Sequence, residues 1–127
     1  MERILVIDDE VRIQEVVQVC LETLGNWVVI TASAGKEGLV KAELEQPDAI
    51  LLDVSLPDID GLTIFQQLQT NAATRHIPVI LLTAKVQTSD RQQFDQIAVA
   101  GVIAKPFDAL TLPEQVRSFL QGWMGHG

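Results

Sequence analysis

Short apolar segments recur at nearly even intervals along the chain, and each is rich in aliphatic and β-branched residues. Apolar and polar positions do not alternate cleanly within them, which is typical of strands in a parallel sheet covered on both faces. The pattern predicts five strands, at residues 4–7, 27–31, 49–52, 78–82 and 101–104.

Segments with helical periodicity separate the predicted strands. In the first, apolar residues recur at helical spacing until Gly25, a residue type common at helix ends. A second helix is predicted from a cap at Ser33 to the residue before Pro47, and a third after Asp60. The apolar stripe of the first predicted helix is Ile13, Val16, Val17, Cys20, Leu21 and Leu24.

Two further helices are predicted in the last third of the chain. The fourth follows Asp90 and turns Phe94, Ile97 and Ala98 toward the core. The fifth opens at residues 111–114, where Thr-Leu-Pro-Glu matches a capping box with proline in the first turn. Strands and helices therefore alternate strictly along the chain.

This alternation predicts an α/β fold, a doubly wound (βα)5 sandwich with helices on both faces of the sheet. We expect five parallel strands in the common order 2-1-3-4-5. The chain has 127 residues, of which 47% are hydrophobic and 20% charged, as in one globular domain. The domain is expected to span residues 1–121, followed by a loose C-terminal tail over 122–127.

The formal net charge of -8 disfavours direct binding to nucleic acid or to an anionic membrane surface. The single cysteine, Cys20, excludes an internal disulfide. Acids directly follow the first apolar segment, unlike a signal peptide, and no apolar stretch approaches the length of a membrane span. We expect a cytoplasmic monomer or weak dimer whose partners are proteins or cations.

Polar residues follow the predicted strands at the sheet edge where open α/β sheets form their sites. Asp8 and Asp9 follow the first strand and Asp53 the third, while Thr83 and Lys105 follow the fourth and fifth. The first and third strands are neighbours in the expected order, so three carboxylates share one pocket. Close carboxylates repel one another unless a cation joins them, and oxygen ligands without His or Cys favour Mg²⁺.

Each of these residues also has an ordinary structural explanation when it is taken alone. Asp53 caps a turn in that interpretation, and Asp8 and Asp9 favour a helix N-terminus. Thr83 is then a plain strand-end hydroxyl, and Lys105 is a solvated turn residue. All four strand ends would then carry such residues by coincidence, so the joint pattern favours a site.

The stretches ILVIDDE, ILLDVSLPDIDG, PVILLTA and AKPF occur in this order. With them the chain resembles the receiver domain of two-component response regulators, in the single-domain, chemotaxis-regulator-like form with a flavodoxin-like fold, over residues 2–121. The resemblance implies a phosphorelay switch in which Asp53 accepts a phosphoryl group from a sensor histidine kinase or phosphotransfer protein. Such a domain catalyses only its own phosphorylation and dephosphorylation and is no conventional enzyme.

The resemblance also implies which residues hold the cofactor. Mg²⁺ (or Mn²⁺) would be bound by Asp9, by Asp8 directly or through water, by Asp53 and by the backbone carbonyl of Ser55. The ammonium group of Lys105 would contact the phosphoryl group, and Thr83 would hydrogen-bond to it on activation. Pro57 and Gly61 suit the turns of a loop over this pocket.

The sequence departs from the family pattern on the fifth strand. Val102 stands where receivers commonly carry a switching Tyr or Phe, three positions before the lysine. We therefore expect activation to move the segment from Thr83 to Asp90 and the start of the fourth helix. The resemblance places an effector on the face built from helix 4, strand 5 and helix 5, and it assigns the tuning of phosphoryl lifetime to Ser55 and Lys85.

Two other classes of protein are alternatives to this interpretation. A Mg²⁺-dependent phosphohydrolase of the haloacid dehalogenase type also uses a strand-end aspartate, but it needs an acid two residues later, where this chain has Ser55. A phosphorylation-independent binding module stays open because of Val102. Nucleotide-binding classes need a glycine-rich phosphate loop, which the sequence lacks.

Overall fold

The strands and helices of the protein are seen in a computed structural model that describes residues 2–84 and 98–126. The strands are β1 (Arg3–Ile7), β2 (Val28–Ala32), β3 (Ala49–Asp53), β4 (Val79–Thr83) and β5 (Gly101–Ala104). The helices within these residues are α1 (Val11–Thr23), α2 (Gly35–Glu45), α3 (Gly61–Thr70) and α4 (Leu112–His126). Helix α4 is the fifth helix predicted from the sequence. The predicted fourth helix lies outside the described residues except for Ala98, which is exposed rather than turned inward.

The five strands form one sheet in the order β2-β1-β3-β4-β5, and every neighbouring pair is parallel. This confirms the predicted strand order. The register places Ile7 beside Leu52 and Thr83 beside Ala104, so the carboxyl ends of β1, β3, β4 and β5 meet at one edge. The loops that carry the candidate site residues therefore start from the same edge of the sheet.

Two apolar cores cover the two faces of the sheet, because successive side chains of a strand point to opposite sides. On β1, Leu5 and Ile7 face the core shared with α2 and α3. Ile4 and Val6 face the core shared with α1 and α4. Helices thus lie on both faces, as predicted, and the central strands β3 and β4 are buried along their whole length. Burial on both faces explains why these strands show no alternation in sequence.

Helix α1 buries a narrower stripe than its sequence predicts. Val17, Cys20 and Leu21 are buried, but Val16 is 41% exposed and Leu24 is 54% exposed. Val16 points about 100° away from Val17 around the helix, and Leu24 lies beyond the last helical residue. A polar residue that the prediction omitted, Gln14, takes part in the buried face instead.

The helix ends agree only in part with the predicted caps. Helix α3 begins directly after Asp60 as predicted, and Asp60 caps it, because its Oδ1 accepts the backbone N–H of Leu62 at 3.1 Å. The predicted cap at Ser33 is wrong, since Ala34 is the N-cap of α2 and has no capping side chain. Helix α4 continues to His126, so residues 122–126 are helical rather than a loose tail. The domain boundary at residue 121 stays a prediction.

None of the helices within residues 2–84 and 98–126 has both the length and the apolar character needed to cross a membrane.

Candidate phosphoacceptor and metal site

Three carboxylates lie together beyond the carboxyl ends of β1 and β3. Asp8 and Asp9 follow β1 directly, and Asp53 is the last residue of β3. One carboxylate oxygen from each lies within 4.8 Å of the others. Asp8 is 0% exposed and Asp53 is 3% exposed, whereas Asp9 is exposed. The structure therefore brings the three predicted acids into one pocket that is open to solvent on the Asp9 side.

The ammonium group of Lys105 enters the same pocket from the loop after β5. Its Nζ lies 2.9 Å from Oδ2 of Asp8 and 3.4 Å from Oδ1 of Asp53. The exposed carboxylate of Glu10 is 4.0 Å away. The backbone N–H of Lys105 donates to the carbonyl oxygen of Thr83 at 2.9 Å, which fixes the loop against the end of β4. The Lys105–Pro106 peptide bond is cis.

The pKa values of Asp53 and Lys105 are both raised, but for different reasons. Burial raises the pKa of Asp53, with a further rise from the charge of Asp8, and together these outweigh the backbone N–H of Ser55 and the ammonium of Lys105. Burial alone lowers the pKa of Lys105, but the hydrogen bond and charge of Asp8, together with Asp53, raise it above its usual value. Lys105 thus stays protonated at neutral pH, while ionisation of Asp53 carries an energetic cost.

Backbone N–H groups hold the two buried carboxylates in place. The N–H of Glu10 donates to Oδ1 of Asp8 at 2.9 Å, and the N–H of Ser55 donates to Oδ1 of Asp53 at 3.1 Å. Both contacts span two residues and close small turns directly after a strand. The carboxylates are therefore positioned by the local backbone, with their charges directed into the pocket.

The loop after Asp53 returns to the strand end at Gly61. The backbone N–H of Gly61 donates to the carbonyl oxygen of Val54 at 2.9 Å. A Cβ atom at Gly61 would lie 2.6 Å from the carbonyl oxygen of Asp53 and 2.6 Å from Cα of Val54. Only glycine permits this close approach, which agrees with the predicted turn over the pocket.

Thr83 and Val102 lie on the neighbouring strands as the sequence predicts. Thr83 is the last residue of β4 and is 1% exposed. Val102 is half-buried, pairs with Leu81 in the sheet and packs against the core shared with α2 and α3. Lys85, the other predicted lifetime-tuning residue, lies outside the described residues.

Two residues near the site were missed by the sequence analysis. Gln14 lies under the loop that follows β1, and Asp58 joins the loop after Asp53 to the N-terminus of α2. The carboxylate of Asp58 accepts the backbone N–H groups of Gly35 at 2.8 Å and Lys36 at 3.1 Å. These hydrogen bonds lower the pKa of Asp58. The only sequence signal for Gln14 was a polar residue inside an apolar helical stripe.

The donor set fits a small divalent cation. It consists of oxygen atoms only, which are the ligands that Mg²⁺ prefers, and one of the three acids faces solvent. Lys105 offsets one of the three negative charges, so the ionised cluster keeps a net charge that one divalent cation balances. The repulsion among the three carboxylates therefore favours binding of a divalent cation.

The chain belongs to the family of response regulator receiver domains, whose model matches residues 4–117. The resemblance described in the sequence analysis is thereby confirmed, and so is the flavodoxin-like fold. Receiver domains of this family are signal-transduction domains of two-component systems.

Known relatives agree with this assignment. The chain is 39% identical over 121 residues to the DNA-binding dual master transcriptional regulator RpaA of Synechocystis, covering 95% of this chain and 50% of that protein. It superposes on chemotaxis response regulator CheY4 of Vibrio cholerae with a TM-score of 0.86 and 27% identity, over 94% of this chain and 98% of that one.

A third relative bears on the metal site. The receiver domain of sensor histidine kinase PA1611 from Pseudomonas aeruginosa matches with a TM-score of 0.81 and 31% identity, over 98% of both chains. That structure has a magnesium ion coordinated in its active site cleft. The chain spans about half the length of most of the curated relatives that it matches.

Proposed function

We propose that the protein is a phosphoacceptor switch in which Asp53 takes a phosphoryl group from a phosphohistidine of a sensor histidine kinase or a phosphotransfer protein. The observation that carries the proposal is the position of Asp53 at the end of a buried strand, 3.4 Å from the ammonium of Lys105 and within 4.8 Å of two further acids. A buried carboxylate with this surrounding charge suits phosphoryl transfer, which depends on positioning and charge neutralisation.

The transfer involves one bond made and one bond broken. A carboxylate oxygen of Asp53 attacks the phosphorus of the phosphoimidazole, a new P–O bond forms, and the P–N bond breaks. The imidazole nitrogen keeps the electron pair and takes up a proton. Lys105 lies close enough to the attacking oxygen to attract the phosphoryl oxygens, and the raised pKa keeps its amine charged during this step.

Asp8, Asp9, Asp53 and the backbone carbonyl of Ser55 would hold Mg²⁺ in this proposal. The bound ion would supply positive charge that offsets the charge of the incoming phosphoryl group. Asp8 is held by Lys105 and by the N–H of Glu10 before any ion binds, so its carboxylate needs little rearrangement. Thr83, at the end of β4, would hydrogen-bond to the phosphoryl group and so report its presence.

The effector surface in this proposal is formed by three elements. They are the predicted fourth helix, strand β5 and helix α4, which is the fifth helix predicted from the sequence. The acidic net charge of -8 argues against nucleic acid as a direct partner of this surface. That expectation is confined to the 127 residues considered, since a relative of about twice this length is named as DNA-binding. Any DNA-binding output of a longer protein would come from residues beyond those of the receiver domain.

The test is the intact mass of the protein after incubation with acetyl phosphate and Mg²⁺. We expect one phosphoryl adduct, which the Asp53→Ala variant lacks because it has no nucleophilic carboxylate. Asp48→Ala serves as the matched control, since Asp48 precedes β3 at the opposite end of the strand and should leave the adduct intact. An unmodified wild-type mass, under conditions that label another receiver, would instead favour a phosphorylation-independent binding module.

A further inference from the structure

A buried glutamine side chain supports the backbone of the acid-bearing loop after β1. Gln14 lies on α1 and is 8% exposed. Its Nε2 donates to the carbonyl oxygen of Asp8, to that of Ala32 at 3.2 Å and to the hydroxyl of Ser33 at 3.0 Å. The nitrogen carries two hydrogens, so the three acceptors share them.

The orientation of this amide follows from its partners. Carbonyl oxygens only accept hydrogen bonds, so the NH₂ end of Gln14, rather than its oxygen, must face Asp8 and Ala32. An apolar side chain of the same length would fill the space but would leave the Asp8 carbonyl without this donor. The contact is therefore specific to an amide and is not replaced by packing.

Gln14 completes a set of contacts that fixes every polar group of Asp8. The N–H of Asp8 donates to the carbonyl oxygen of Ala32 at 3.0 Å. Its two carboxylate oxygens accept from the N–H of Glu10 and from Lys105, each at 2.9 Å. The carbonyl group, held by Gln14, belongs to the peptide bond that joins Asp8 to Asp9. The orientation of this peptide bond therefore determines where the backbone places Asp9 relative to Asp8.

We propose that Gln14 is a positioning residue for metal binding, which sets the relative positions of Asp8 and Asp9 without touching the ion. The proposal rests on the metal site of the proposed function and is independent of whether phosphoryl transfer follows. Residues that orient metal ligands in this way typically change metal affinity by about 10- to 100-fold when they are replaced. Replacing Gln14 should then raise the Mg²⁺ concentration needed to fill the site. It should not change the chemistry at Asp53.

The test compares Mg²⁺ binding by the wild type and by Gln14→Met, measured by isothermal titration calorimetry. Methionine keeps the length and burial of the side chain but has no hydrogen to donate. We expect the dissociation constant for Mg²⁺ to rise about 10-fold. The phosphorylation rate at saturating Mg²⁺ should stay close to that of the wild type, because Asp53 and Lys105 are unchanged.

The matched control is Gln18→Met, one turn further along α1, where no hydrogen bond joins the side chain to the described residues. It should leave Mg²⁺ affinity unchanged. If Gln14→Met is less stable but binds Mg²⁺ as tightly as the wild type, Gln14 is only structural and the proposal is wrong.

A second variant covers the case in which Gln14→Met does not fold. Gln14→Asn keeps the amide but shortens the side chain by one methylene, and the same rise in the Mg²⁺ dissociation constant is expected.

A wild type that binds Mg²⁺ but takes up no phosphoryl group contradicts the proposed function alone, and the titrations of the variants still decide the role of Gln14. A wild type without Mg²⁺ binding overturns the role of Gln14.

Discussion

Asp53 carries its negative charge in a place where ionisation is unfavourable. The residue is 3% exposed, and its pKa is raised by burial and by the charge of Asp8. The folded protein therefore holds the proton of Asp53 at pH values where the unfolded chain has already lost it. Stability contributed by that proton is present at low pH and is lost as the pH rises through the raised pKa.

The Asp53→Asn variant should therefore be more stable than the wild type at pH 7 without divalent ions. Asparagine has the same shape but no charge to bury. The difference should shrink as the pH is lowered and the wild-type carboxyl takes up its proton. Thermal unfolding in the presence of chelator, followed by circular dichroism at several pH values, measures this difference.

Glu22→Gln provides the comparison, because it neutralises an exposed acid on α1 and should change stability by less than about 0.5 kcal/mol. A lower melting temperature for Asp53→Asn at pH 7 would mean that the ion pair with Lys105 outweighs the cost of burial.

At the scale of single residues, the sequence predicted the acids and the lysine but not the groups that hold them. Asp8, Asp9, Asp53 and Lys105 all lie at or just beyond the end of a strand, and strand ends are visible in the apolar pattern. Gln14 was missed because its contacts are with the carbonyl oxygens of Asp8 and Ala32 and the hydroxyl of Ser33, and hydrophobic periodicity does not record such contacts.

The turn from β3 into α3 depends on a small residue at the start of α3. Gly61 approaches the backbone of Asp53 and Val54 so closely that a Cβ atom would overlap both. Gly61→Ala should destabilise the protein by about 2 kcal/mol, because main-chain atoms must move to make room. Chemical unfolding with urea gives the free energy difference.

Gly122→Ala is the matched control for this substitution. Gly122 lies in α4 with no atom within 4 Å of an added Cβ, so alanine meets no obstacle there. It should stabilise the protein by about 0.5–1 kcal/mol through its higher helix propensity. Equal effects of the two substitutions would contradict the close packing described at Gly61.

Asp58 joins two elements, the loop after β3 and the N-terminus of α2, through two backbone N–H groups. These hydrogen bonds lower the pKa of Asp58 in the folded protein. The ionised carboxylate therefore stabilises the fold above the pKa that Asp58 has in the unfolded chain. This stabilisation is lost as the pH falls through the lowered pKa of the folded protein. Asp58→Ala should melt below the wild type at pH 7, and the gap should narrow in acid.

Asp58→Asn separates charge from hydrogen bonding in this prediction. Asparagine still offers an oxygen to the N–H groups of Gly35 and Lys36, so it should melt between the wild type and the alanine variant, with a weaker dependence on pH. Thermal melts between about pH 3 and pH 7 compare the three proteins. A gap between wild type and Asp58→Ala that widens in acid would contradict the account.

At the scale of elements, the number and parallel type of the strands were predictable because buried parallel strands produce continuous apolar runs. Their order was predicted as the common order of doubly wound sheets. Element ends were less predictable. The end of α4 at His126 was missed because Gly122 and Gly125 indicated a loose tail, whereas the helix continues through both. The sequence predicted too many buried residues on α1, because an apolar residue type does not show which way its side chain points. Val16 is apolar but faces solvent.

At the scale of the whole molecule, the fold places the candidate site residues at the ends of its buried central strands. The central strands β3 and β4 are buried along their length and end at Asp53 and Thr83. Val102, in place of an aromatic ring, is short and has little side-chain freedom to exchange between states. The prediction that activation moves the segment from Thr83 to Asp90 therefore stands as a prediction, and most of that segment lies outside the described residues.

Within residues 2–84 and 98–126, strand β2 lies at the edge of the sheet and pairs only with β1. Its last residue, Ala32, accepts the N–H of Asp8, and the helix that follows it is tied to the other acidic loop through Asp58. Edge units open locally more readily than central strands. A partial opening of β2 and α2 would break the hydrogen bond between Asp8 and Ala32 and those between Asp58 and α2, while β3 and β4 stayed folded. In the proposed metal site, an ion bound between the acids would oppose this opening, so metal binding and the local unfolding of β2 and α2 would be thermodynamically linked.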